Sequence, residues 1–88
     1  MHWAVRLSRD AVKDLSRIPA DRRELLLRQL SAMEADPFQG NVRPLKGKRW
    51  RGRYRKVAGR YRIIFTPFHS ARSVEVSAIT LRSEKTYR

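Results

Sequence analysis

The sequence predicts a small α+β domain in which one strand and two helices precede a three-strand antiparallel meander. Three observations carry that reading. Apolar residues recur at helical spacing between positions 11 and 33. Two stretches with period-two alternation flank Ala58-Gly59, which is a hairpin signal. Between them, residues 36–47 hold Pro37, Gly40, Pro44 and Gly47 and read as a loop. The expected order is β-α-α-β-β-β, a sheet with a helix pair on one side, in one domain over residues 1–88.

Residues His2 to Leu7 alternate weakly, with Trp3 and Val5 on one side. Ser8 suits an N-cap, and Asp10 suits the positive end of the helix dipole. Ala11, Val12, Leu15 and Ile18 then keep helical spacing until Pro19. A second helix is expected from about Asp21 to Ala35. Its stripe of Leu26, Leu27, Leu30 and Met33 reads as core, and Arg22, Arg23 and Arg28 lie largely outside it. After the hairpin, Pro67 to Ala71 form a second turn. Ser73 to Leu81 make the last strand, with Val74, Val76 and Ala78 on one face.

Charge is distributed very unevenly. Residues 37–74 contain 11 of the 21 Lys and Arg and no Asp or Glu, whereas residues 1–36 carry seven basic and six acidic side chains. Nearly all of the net +13 therefore sits in one block. With Ala58-Gly59 as a two-residue loop, Val57 pairs with Arg60, Arg55 with Arg62 and Tyr54 with Ile63. Arg51, Arg53, Arg55, Arg60 and Arg62 then share one face, and Tyr54, Tyr61, Ile63 and Phe65 share the core face. Directly opposed like charges cost roughly 0.2–1 kcal/mol, so folding gains nothing from this pattern. A solvated face would mix Glu with Lys; this one reads as a surface for a polyanion. Arginine in place of lysine favours the geometry of phosphate.

Several classes are disfavoured. Cysteine is absent, which removes disulfides and thiolate metal sites. His2 and His69 have no carboxylate cluster beside them, so neither a metal nor a cofactor is expected. No apolar run approaches the ~20 residues of a membrane span, and no signal peptide is evident, so the expected location is the cytoplasm.

Four stretches resemble the RelE/ParE toxin superfamily of bacterial toxin–antitoxin systems. They are Val5-Arg6-Leu7-Ser8-Arg9-Asp10-Ala11-Val12-Lys13-Asp14-Leu15, then Asp36-Pro37 with Arg43-Pro44-Leu45-Lys46-Gly47. Gly59-Arg60-Tyr61-Arg62-Ile63-Ile64-Phe65 and Arg82-Ser83-Glu84-Lys85-Thr86-Tyr87-Arg88 complete the set. They occur in the family's order and cover essentially the whole chain. The resemblance implies a toxin with an acidic antitoxin partner. RelE-like members cleave mRNA in the ribosomal A site, and ParE-like members inhibit DNA gyrase. By position, the resemblance implies catalytic roles for Arg53, Arg55, Arg62, Arg82 and Tyr87. Some members carry a histidine in the tail, and here there is none.

The chemistry suits these residues. Metal-free cleavage needs a proton acceptor at the 2′-OH, cations around the phosphorane and a proton donor to the leaving oxygen. Arginines supply the second requirement, and Tyr87 can supply the first if nearby arginines favour its phenolate. Lys46, Lys56 and Lys85 are the next candidates for the base. Lys46, Lys48, Arg49, Arg51, Arg60 and Lys85 are placed for contacts to mRNA or rRNA backbone. Trp50 among them either stacks on a base or covers the sheet edge. The expected function is a ribosome-dependent endoribonuclease. The alternatives are a ParE-like gyrase inhibitor and a non-catalytic nucleic-acid-binding module.

Overall fold

The computed structural model describes residues 2–83. Five strands and two helices follow in the order β1 (Ala4–Leu7), α1 (Arg9–Ser16), α2 (Ala20–Ala32), β2 (Val42–Pro44), β3 (Tyr54–Ala58), β4 (Tyr61–Phe68) and β5 (Ser73–Leu81). The sheet order is β1-β5-β4-β3-β2. The α+β class and the antiparallel meander of β3, β4 and β5 match the sequence expectation. Two features differ. The expected loop at 36–47 contains β2, and β1 pairs with β5 in parallel, so the sheet is mixed. Strand β2 escapes periodicity because it has three residues and one is Pro44, a residue tolerated only where a strand lies at a sheet edge.

The helices form where the sequence places their signals. Ser8 caps α1, its hydroxyl accepting the Ala11 N–H at 3.1 Å. Helix α1 ends before Pro19, and the freed carbonyls at its end are taken up by Arg23. Its Nε and Nη2 donate to Leu15 (3.2 Å) and Ile18 (2.8 Å). Leu26, Leu30 and Met33 are buried as expected, but Leu27 and Val12 are about half exposed, at 49% and 53%. No helix among the described residues is long and apolar enough to cross a membrane.

The core lies between the helices and one sheet face. Leu26, Leu30 and Met33 meet Tyr61, Ile63, Phe65, Val74, Val76 and Ile79, with Tyr54, Val5 and Leu7 packed at the margin. The expected grouping of Val74, Val76 and Ala78 is overturned by a bulge. Ile64 pairs with Ala78 but Phe65 pairs with Val76, which leaves Ser77 as the extra residue. Beyond it the alternation changes phase, so Ile79 faces the helices and Ala78 faces away beside Ile64. Helix α1 holds this bulge. The Ser8 N–H donates to the Val76 carbonyl (2.8 Å), and the Ser8 hydroxyl donates to the Ser77 carbonyl (3.1 Å). The buried Asp14 carboxylate accepts the Ile79 N–H at 2.9 Å.

The hairpin register is also displaced by one residue at the turn. Ala58 pairs with Tyr61, so Gly59-Arg60 is the two-residue loop, not Ala58-Gly59. Gly59 has φ 60°, whereas Arg60 stays at negative φ, the pattern of a type II′ turn with glycine at its first central position. Because the turn moves by one residue on both strands, each side chain keeps its expected face. Strand β4 also runs to Phe68, so the next turn falls at residues 69–72.

Lys56 occupies the helix-side face, opposite Val42 and almost fully buried. Its Nζ donates to the Gln39 carbonyl at 2.9 Å. Burial pulls its pKa below the ordinary 10.5, and the Asp36 carboxylate counters this in part. This position removes Lys56 from the candidates for chemistry on the open face.

Two expectations follow. Asp14→Ala strands the buried Ile79 N–H and should lower unfolding free energy by about 1–3 kcal/mol in urea titrations; Asp14→Asn, which keeps an acceptor, should lose less. For Lys56, the unfolded chain binds the extra proton between the lowered folded pKa and 10.5. Stability contributed by this group therefore rises with pH across that window. Urea titrations at stepped alkaline pH should show a steeper rise for the wild type than for Lys56→Met.

Candidate nucleic-acid interface

Alternation along β3 and β4 sends Arg55 and Arg62 to the face away from the helices. The observed register sets Arg62 opposite Val57 on one side and Thr80 on the other, so Arg55 and Arg62 are diagonal neighbours and not directly opposed. The directly opposed like-charge pair is instead Arg43 with Arg55, across β2 and β3. Three guanidinium-bearing positions thus lie on three adjacent strands. On the same face Ile64 pairs with Arg55 and Ala78, and Thr80 pairs with Arg62; all three are buried.

The chain between β2 and β3 folds into a wall beside these arginines. Leu45 N–H donates to the Arg53 carbonyl (2.9 Å), Trp50 N–H to Gly47 (3.1 Å) and Arg53 N–H to Trp50 (3.0 Å). A short 3-10 turn covers Lys48–Trp50. Gly47 has φ 102°, a region open to glycine, and a Cβ there would lie 3.7 Å from the indole Cδ1 of Trp50. The wall and the sheet enclose a cleft of about 300 Å³ lined by Pro44, Leu45, Lys46, Trp50, Arg55 and Arg62. The Arg49 and Arg53 guanidiniums lie 5.1 and 5.5 Å from the Trp50 ring centroid.

Lys46, Arg55 and Arg62 are therefore brought together, with Arg53 beside them on Trp50. Lys48, Arg49 and Arg51 are exposed along the outer loop. Arg60 and Arg82 stand apart. They line a second depression of about 540 Å³ with Gly59, Leu81 and Ser83, and the Arg82 N–H donates to the Arg60 carbonyl at 2.8 Å. Arg60 lies in the turn of the hairpin, two positions before Arg62 in the sequence. Tyr87 and Lys85 lie outside the described residues. Arg43 is the position that sequence reasoning missed. The signal was a basic residue before a proline in a segment whose only possible strand pairing is at an edge.

Half-buried guanidiniums keep their charge and are less screened than cations in open water. Arg55 and Arg62 are both half-buried. Among the described residues, no group of three or more His, Asp or Glu side chains stands close enough to hold a metal ion. The cleft offers forked donors, one ammonium and one indole. It is suited to a phosphodiester with an adjoining base.

The chain matches no protein-family model, and no curated protein matches it by sequence. Its shape has clear counterparts among solved structures. It superposes on a chain of the toxin–antitoxin complex RelBE2 from Mycobacterium tuberculosis with TM-score 0.83 at 18% identity, over 93% of this chain and 100% of that one. For the archaeal RelE–RelB complex from Pyrococcus horikoshii OT3 the values are 0.79 and 22%, over 96% and 99%. For the YoeB/ParE toxin from Agrobacterium tumefaciens they are 0.74 and 19%, over 90% and 98%. The chain has the RelE-like toxin fold.

The Arg43–Arg55 pair generates a test of its own. Arg55→Gln should leave the melting temperature unchanged or raise it, because the like-charge repulsion is relieved. The same substitution should reduce affinity for single-stranded RNA. It should also lower the slope of log affinity against log salt by about 0.7 for each phosphate that Arg55 neutralises in the wild type. A salt titration by fluorescence anisotropy reads both effects.

Proposed function

We propose that this protein is the toxin of a type II toxin–antitoxin pair and a metal-independent endoribonuclease acting on ribosome-bound mRNA. The observation that carries the reading is the convergence of Lys46, Arg55 and Arg62 on one cleft of the sheet face away from the helices, with no acid in that block of the sequence. The RelE-like fold supports the toxin assignment, and the RelBE2 and archaeal RelE–RelB structures are complexes with an antitoxin. A cognate antitoxin of acidic character is the partner that suits a chain of net charge +13.

In the proposed reaction the 2′-oxygen attacks the adjacent phosphorus while the 2′-OH proton passes to a base. The P–O5′ bond breaks, giving a 2′,3′-cyclic phosphate and a 5′-OH. Arg55 and Arg62 hold the non-bridging oxygens and stabilise the charge that grows on them. Lys46 donates a proton to the departing 5′-oxygen. We assign the base role to Tyr87, by its place in the tail motif. Arg60 and Arg82 hold a further phosphate in their own depression. Lys48, Arg49 and Arg51 meet the ribosomal or messenger backbone from the loop.

The alternative reading is a gyrase inhibitor, favoured by the likeness to the YoeB/ParE toxin. Induction in cells separates the two. Codon-phased cuts in a reporter mRNA by primer extension support the nuclease; intact mRNA with lost supercoiling supports the inhibitor. Arg62→Ala should abolish cleavage with the fold retained by circular dichroism. Tyr87→Phe should slow single-turnover cleavage on programmed ribosomes by about 10²–10⁴-fold, the range for a positioned base. A Tyr87→Phe protein that cuts at wild-type rate would move the base role to another group.

A further inference from the structure

Trp50 does not behave as a core aromatic. The apolar side chains packed on the core include Trp3, Phe38 and Tyr54, and Trp50 is not among them. It is half-buried in the wall of the basic cleft, and its surroundings are cationic. Lys46, Arg55 and Arg62 line the same space, and the Arg49 and Arg53 guanidiniums lie against its ring. Its backbone is fixed by the 3-10 turn, and its edge rests near Gly47, where a positive φ excludes most side chains. The backbone of Trp50 is thus fixed by its own turn, and two guanidiniums lie over its ring. Arg49 is exposed on a long flexible stem and can swing aside.

An indole beside a row of cations is the arrangement that proteins use to hold single-stranded nucleic acid. The cations track the backbone and the ring stacks on a base. The cleft volume of about 300 Å³ accommodates a nucleotide unit and not a duplex. We infer that Trp50 is a nucleobase-stacking platform, which seats the base next to the phosphate held by Arg55 and Arg62 and so sets which internucleotide bond lies in the cleft. This inference rests on the ribonuclease reading for the identity of its ligand as single-stranded RNA. It adds a positioning residue to that site. Because stacking is available to every base, the interaction fixes register and favours purines by their larger face, without a hydrogen-bond code.

The test uses an uncleavable 2′-O-methyl oligoadenylate hexamer and an abasic hexamer with the same number of phosphates, both at low salt. The wild-type protein should bind the base-bearing hexamer about 10- to 100-fold more tightly and show quenched tryptophan fluorescence with it alone. Trp50→Ala should lose that preference and bind both hexamers equally. Trp50→Phe should keep much of the preference while losing the quench, since Trp3 packs against Phe38 and His69, outside the cleft. The inference is overturned if the wild type binds both hexamers equally, or if Trp50→Ala retains the preference. If that happens while mRNA is still cut on ribosomes, stacking fails and the nuclease reading stands. If neither hexamer binds and no mRNA is cut, both fall together.

Discussion

The buried Asp14 carboxylate, accepting the Ile79 N–H from across the helix–sheet boundary, is the interaction on which the two-faced sheet depends. Strand β5 is the hinge of the architecture, with β1 parallel on one side and β4 antiparallel on the other. A regular β5 would send Val74, Val76, Ala78 and Thr80 to one face and Ile79 to the other. The extra residue at Ser77 lets Val74, Val76 and Ile79 all reach the helices. An unpaired N–H beside a bulge would be costly in a dry interior, and the Asp14 side chain supplies the acceptor it needs. Ser8 fastens the other end of the same irregularity while also capping α1. The phase change has a second effect. It leaves two small residues, Ala78 and Thr80, beneath the basic face.

That face is held together by its neighbours and not by its own charges. Arg43 and Arg55 oppose each other, and Arg62 lies diagonal to Arg55, with no local carboxylate in residues 37–74. Each repulsion is worth well under the stabilisation from one buried side chain such as Phe65 or Ile63. The core on the opposite side of the same strands therefore sets the register, and the arginines are carried along. A site of this kind can be tuned without redesigning the fold, because the stabilising and the binding residues alternate along the same backbone.

Much of this was legible in the sequence and some was not, for definite reasons. Alternation assigned Tyr54, Tyr61, Ile63 and Phe65 to the core and Arg55 and Arg62 to the other face, and the structure agrees. The turn was misplaced by one residue because Ala58-Gly59 and Gly59-Arg60 both contain the required glycine, and the core pattern survives either choice. The bulge at Ser77 left no local mark; its cause is a carboxylate 65 residues away in the chain. Strand β2 was hidden by its length and by Pro44, and Arg43 was hidden with it. Lys56 interrupts the core face, and only the Gln39 carbonyl and Asp36, brought close by the fold, account for its burial. Local patterns specify faces; long-range pairings decide phase.

The parallel pairing of β1 with β5 joins Ala4 to Ser73 and Leu7 to Val76, nearly the two ends of the described fold. Pairings so distant in sequence form slowly, because a large loop must close before they stabilise anything. During synthesis the first strand must wait until the last has emerged. Until then the hairpin of β3 and β4 lacks the strand that completes its sheet, and α1 lacks the bulge that Ser8 and Asp14 fasten. Completion of the sheet is a terminal event in the life of the nascent polypeptide, and a chain truncated before residue 73 would carry most of the charge of this protein without its architecture.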